Sequence, residues 1–132
     1  MHIDRRLLDE MIAHAQRDAP DECCGMVART GEELMAVHPA ANVAASPLRF
    51  EIDPDELRSI VFDQIEDAGR ELGAIYHSHT RTAAEPSQTD INFAASWPGV
   101  VWIIIGLAGD APEVRTWRID GGEVGEVSLE VR

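Results

Sequence analysis

The chain has 132 residues, 45% hydrophobic and 27% charged, with acidic residues outnumbering basic ones 24 to 11 and a formal net charge of −13. That length predicts one domain over residues 1–132, with a core large enough to need no staples, and the charge excludes nucleic acid as an expected partner, because phosphate backbones are bound by Lys and Arg that displace counterions. The longest apolar run, Val100–Ala108, is far shorter than the roughly 20 residues a spanning helix needs, and the N-terminal MHIDRRLLDEM has charges on both sides of a short apolar pair, unlike a signal peptide, so a cytoplasmic protein away from membranes is expected.

Apolar residues at Ile3, Leu7, Leu8, Met11, Ile12 and Ala15 have helical spacing, and Pro20 stands just past the end. CCGMVA is a short buried strand. Its adjacent cysteines, Cys23 and Cys24, give no disulfide framework, which fits a reducing compartment. A turn at Gly31 leads to a strand over Glu33–His38. AANVAASPLRF is an aperiodic loop running into an extended RFEID. Asp53 and Pro54 are an N-cap and a first-turn proline, opening a helix with apolar positions 57, 60, 61, 62 and 65 that reaches about Ala68. LGAIYHSH is a strand, SQTDINFAASW a short helix, and VVWIIIGL a fully buried central strand. EVRTWRID and EVGEVSLEV form a hairpin about Asp120-Gly121-Gly122. The order predicts a mixed α/β sheet with helices packed on it.

The chemistry concentrates in YHSHTRTAAEPSQTD, Tyr76 to Asp90. Of the five histidines, only His77 and His79 sit together. Two apart at a strand end, they share a face about 6.6 Å apart and can lean onto one metal at about 2.0–2.1 Å each; taken alone, the pair is read more readily as ordinary surface or turn histidines. Ser87 and Asp90 have the spacing of a capping box, with Asp for the usual Glu. A first-turn aspartate can also point back to the histidine strand as a third ligand, leaving a fourth position for water. Hydrolysis there needs a nearby carboxylate that is not itself a ligand. Glu22 in PDECCG is the candidate and Asp21 its competitor; a solvated turn residue is the plainer reading of either.

His-Ser-His, seven residues, Ser, two residues, Asp, with an upstream Glu, resembles the full signature of the JAMM metalloproteases, the catalytic MPN-domain proteins. PDECCGM matches the Pro-x-Glu-x-Cys-Gly segment of that family. The resemblance covers nearly the whole chain and is nearest to the small bacterial peptidases that remove cysteine from a ubiquitin-like sulfur-carrier protein. It implies a JAMM/MPN (cytidine-deaminase-like) fold and one Zn²⁺ per chain held by His77, His79 and Asp90. It implies Glu22 as the proton-transfer residue and Ser87 as the hydrogen-bond donor to the oxyanion. It also implies a ubiquitin-like sulfur-carrier protein with a Gly-Gly tail as partner, cut after that tail. Gly25 is expected to allow close packing under the site, Ser78 to be structural, and the loop from Pro39 to Leu48 to be either one wall of the substrate channel or uninvolved. The alternative is a non-catalytic MPN-type module that binds a ubiquitin-like protein. Other zinc hydrolases fit worse: a nucleobase deaminase needs His-x-Glu and Pro-Cys-x-x-Cys, and an amidohydrolase needs a barrel of about 250 residues.

Overall fold

A computed structural model describes residues 1–132. Its elements are β1 (His2–Ile3), α1 (Arg5–Asp18), β2 (Cys24–Thr30), β3 (Glu33–Ala40), α2 (Pro54–Arg58) continued by a π-helical segment (Ser59–Glu66), β4 (Glu71–His79), α3 (Gln88–Ala94), β5 (Val101–Gly106), β6 (Glu113–Asp120), β7 (Glu123–Val127) and β8 (Glu130–Val131). The strands form one eight-stranded sheet in the order β7-β6-β5-β4-β2-β3-β1-β8. β4 runs parallel to β5 and antiparallel to β2, so the sheet is mixed, as expected, and the histidine strand lies in its middle beside β5.

The central strands are buried on both faces, and their alternation sorts two cores. Ala74, Tyr76, Val101, Ile103 and Ile105 pack with Leu8, Met11 and Ala15 of α1. Ile75, Trp102 and Ile104 face the other way, against Ile60, Ile65 and Ala94 of the remaining helices. Side chains of successive strand residues point to opposite faces, so His77 and His79 share the second face with Ile75, while Ser78 lies with Tyr76 under α1.

Three local expectations change. Ile3 belongs to β1 rather than α1, whose N-cap is Asp4 accepting from the Arg6 N–H. The helix begun at Pro54 turns π-helical at Ser59, with Asp67 N–H donating to Phe62 O at 3.1 Å. Residues five apart lie about 140° apart on an α-helix but come onto nearly the same face where the chain is wound in the i→i+5 register, and Ile60 and Ile65 share the core here. The C-terminal tail leaves the hairpin after Val127: β8 crosses to the far edge of the sheet and pairs with β1. Two-residue strands carry no readable periodicity, which is why β1 and β8 are invisible in the sequence.

Candidate metal centre

His77 and His79 end β4, with 0% and 5% exposure. Asp90, 5% exposed, lies in the first turn of α3. The His77 Nε2, His79 Nε2 and Asp90 Oδ2 atoms are mutually 3.1 Å apart. Donors about 2.0–2.1 Å from a tetrahedral zinc are separated by about 3.3–3.4 Å, so the trio needs little adjustment to hold such an ion. The tautomer also suits it. His79 Nδ1–H donates to the Ala83 carbonyl at 2.9 Å, which turns the Nε2 lone pair toward the cluster. Phe50 stacks on the His77 ring at 4.7 Å between centroids and holds it in place. Phe50 went unnoticed in the sequence, because a lone aromatic in an aperiodic loop carries no pattern.

The capping box forms as expected: Asp90 N–H donates to Ser87 Oγ at 3.1 Å, and Ser87 N–H donates to Asp90 Oδ2 at 3.0 Å. One oxygen of Asp90 thus serves both the cap and the cluster. The cap therefore orients the carboxylate, and the structural and ligand readings do not compete. Ser87 is exposed, and its hydroxyl proton is free to donate because Oγ acts only as acceptor in the box.

Cys23 and Ser78 extend the β2–β4 pairing beyond Cys24↔His77: Ser78 N–H donates to Cys23 O at 3.2 Å, and Cys23 N–H donates to Ser78 Oγ at 2.8 Å. Continued by one more residue, that register sets Glu22 across from His79, and the two side chains interact electrostatically. Glu22 is 5% exposed, whereas Asp21 is only half-buried. Gly25 pairs with Tyr76 on the opposite face, and a Cβ there would lie 2.5 Å from the Tyr76 Oη, so only glycine fits.

The electrostatics follow from burial. Burial pushes the Glu22 carboxyl up to about 7, eased by His79 and reinforced by Asp90. Burial would raise Asp90 as well, but the hydrogen bonds to His77 and His79 outweigh it and hold the carboxyl below the usual carboxylate range. Burial disfavours a charged His79, yet Asp90 and the Ala83 carbonyl together raise its pKa. The cluster therefore attracts positive charge, and a divalent cation bound there takes the place of that proton. Burial pushes the Cys23 and Cys24 thiols up to about 11 and about 12, so neither is a thiolate nucleophile.

The profile of prokaryotic homologs of the JAB domain matches residues 4–120. The chain is 38% identical to a desampylase of Haloferax volcanii, covering 93% of this chain and 90% of that one. It is 37% identical to the CysO-cysteine peptidase of Mycobacterium tuberculosis, covering 95% and 86%. A JAB1/MPN domain protein of Archaeoglobus fulgidus shares the fold, with a TM-score of 0.68 at 22% identity over 99% of this chain and 98% of that one. No helix is long and apolar enough to cross a membrane. With the expected mixed-sheet fold in place, and with relatives this similar along almost its whole length, the chain belongs to the prokaryotic JAB branch of the JAMM family and is a hydrolase of the JAMM type.

Proposed function

We propose that this hydrolase is a cytoplasmic zinc peptidase or isopeptidase, a single metallopeptidase domain over residues 1–132. We propose that it cuts after the C-terminal Gly-Gly of a ubiquitin-like sulfur-carrier protein, releasing cysteine from a carrier–cysteine adduct. The observation that carries the reading is the convergence of His77, His79 and Asp90 on one point, with the buried Glu22 carboxyl close enough to feel the charge of His79 and Asp90. The names of the two relatives, a desampylase and a CysO-cysteine peptidase, support removal of a small carrier protein from its conjugate. A non-catalytic module of this fold would have no need of all three ligand side chains together with a buried carboxylate beside them.

His77, His79 and Asp90 would hold one Zn²⁺, which when bound acts as a Lewis acid toward water and the scissile carbonyl. Glu22, ionised, accepts the proton of the attacking water and then delivers it to the leaving amine, so it begins and ends each cycle as a carboxylate. The Ser87 hydroxyl donates a hydrogen bond to the oxyanion that develops on the carbonyl. Asp90, fixed by the Ser87 N–H, keeps both imidazoles in register. An extended Gly-Gly tail has no side chains to obstruct a narrow cleft.

The test is intact mass of a sulfur-carrier protein extended past Gly-Gly by one cysteine, incubated with the enzyme with and without a chelator. Loss of the single cysteine only without chelator supports the reading. An unchanged mass with a zinc-loaded enzyme rules out this substrate.

A further inference from the structure

The peptide of Glu22 is held by the loop that follows β3. Glu22 N–H donates to the Ser46 carbonyl at 2.9 Å, and the Glu22 carbonyl accepts from Asn42 Nδ2 at 2.9 Å. Asn42 spends its whole hydrogen-bonding capacity here. Nδ2 also donates to Arg49 O at 3.0 Å, and Oδ1 accepts from Ala44 N–H at 3.1 Å and Glu51 N–H at 3.0 Å. The reversed amide would set oxygen against two carbonyls and nitrogen against two N–H groups, so its orientation is settled. Val43 N–H closes the neck of the loop onto Glu51 O at 2.9 Å. Ala45, just before Ser46, takes φ +44°, a left-handed state that alanine seldom adopts and that the surrounding bonds maintain. The same loop carries Phe50 onto the His77 ring. Thus one loop touches a metal-site imidazole and the main chain of the carboxylate opposite it.

The Glu22 carboxylate takes no hydrogen bond of its own, so its place is set through its main chain. We propose that Asn42 is a positioning residue for Glu22: by locking the loop Asn42–Glu51 to the Glu22 peptide, it fixes where the carboxylate lies relative to His79. This rests on the reading of Glu22 as the proton-transfer group. A displacement of about 1 Å in such a group can cost about a hundredfold in rate, and no other side chain bonds both ends of the loop and the Glu22 peptide together.

The test measures kcat, KM and zinc content for Asn42→Ala, Glu22→Gln and the double variant, on the carrier protein extended by one cysteine. Asn42→Ala should lower kcat by about ten- to a hundredfold, leave KM within about threefold and leave zinc content unchanged. In the Glu22→Gln background it should lower the residual rate no further, because the group it positions is gone. An equal loss in both backgrounds, or a wild-type kcat in Asn42→Ala, overturns the proposal. If Asn42→Ala fails to fold, Asn42→Asp carries the test. It keeps the acceptor bonds from Ala44 and Glu51 but lacks the donors, so it should show the same loss of kcat; a wild-type rate overturns the proposal. Near-normal turnover in Glu22→Gln alone sinks the Glu22 reading itself. A dead Glu22→Gln beside fully active Asn42 variants sinks only the role of Asn42.

Discussion

A carboxylate 5% exposed at the end of an apolar strand costs stability whenever it is ionised. The Glu22 pKa rises from 4.5 to about 7 in the folded chain. A group raised on folding contributes most below its unfolded pKa, and that contribution is lost as pH climbs through the folded value. The metal-free Glu22→Gln variant should therefore be more stable than the wild type at pH 8, by up to about 3 kcal/mol, and match it at acid pH; equal stability at both would place Glu22 in water. The same variant should retain zinc while losing about 10²–10⁴ in kcat, and near-normal turnover would move proton transfer elsewhere, Asp21 being next. In the wild type, activity should fall as pH drops and Glu22 takes up a proton, through a limb at or below about 7, since a bound cation lowers that pKa. Ser87 caps α3, and in the proposed mechanism it also binds the oxyanion. Ser87→Ala should lose about 1 kcal/mol of helix cap and about 10²–10³ in kcat. A melting shift with an unchanged rate would leave it a cap alone.

At the scale of elements, the site is built where three pieces meet: the end of β4, the start of β2 and the first turn of α3. The β2–β4 contact is specified from both faces. On the metal face, Cys24 pairs with His77. Beneath it Tyr76 lies over Gly25, and its hydroxyl is held by His14 Nδ1 at 2.7 Å, while Asp18 holds His14 Nε2 at 3.1 Å. With Tyr76 so anchored, the ring cannot yield to a new methyl group. Gly25→Ala should cost about 1–3 kcal/mol by overpacking and reduce activity by parting β2 from β4. A thermal melt within a degree of wild type would show that Tyr76 moves freely. The segment between His79 and Ser87 is pinned independently, by Trp117 Nε1–H donating to Ala84 O at 2.9 Å and by Arg115, which lies over Trp117 and pairs with Glu85 and Glu126. That pinning sets the reach from the histidines to the helix that carries Asp90.

For the whole molecule, the sheet order brings the chain ends and the final hairpin into one curled surface: β7 lies at one edge, β8 at the other, and only Ser128 and Leu129 separate them in sequence. The candidate metal ligands come from a central strand and from the helix on its face, so an ion there ties two layers together. Ligands that bind only the folded state stabilise it by mass action. Chelation should lower the melting temperature by about 10 °C, and Asp90→Ala should melt low with or without chelator because it holds no ion. Full metal occupancy in Asp90→Ala would refute its assignment as a ligand.

Sequence alone determined what depends on short-range spacing. Strand alternation put His77 and His79 on one face, the Ser87–Asp90 interval encoded a helix cap, and the Glu22, His-Ser-His, Ser and Asp pattern marked the family. The central strand could be read as doubly buried because its apolar run has no polar interruption. Contacts between distant segments leave no local period. The order of strands around β4, the crossing of β8 to the far edge, the Phe50 ring on His77 and the Asn42 bonds to Glu22 were decided only by tertiary packing. So was the convergence of three ligand atoms to 3.1 Å, because spacing in sequence sets which face a side chain occupies, while the distance between faces is set by how helices and sheet pack.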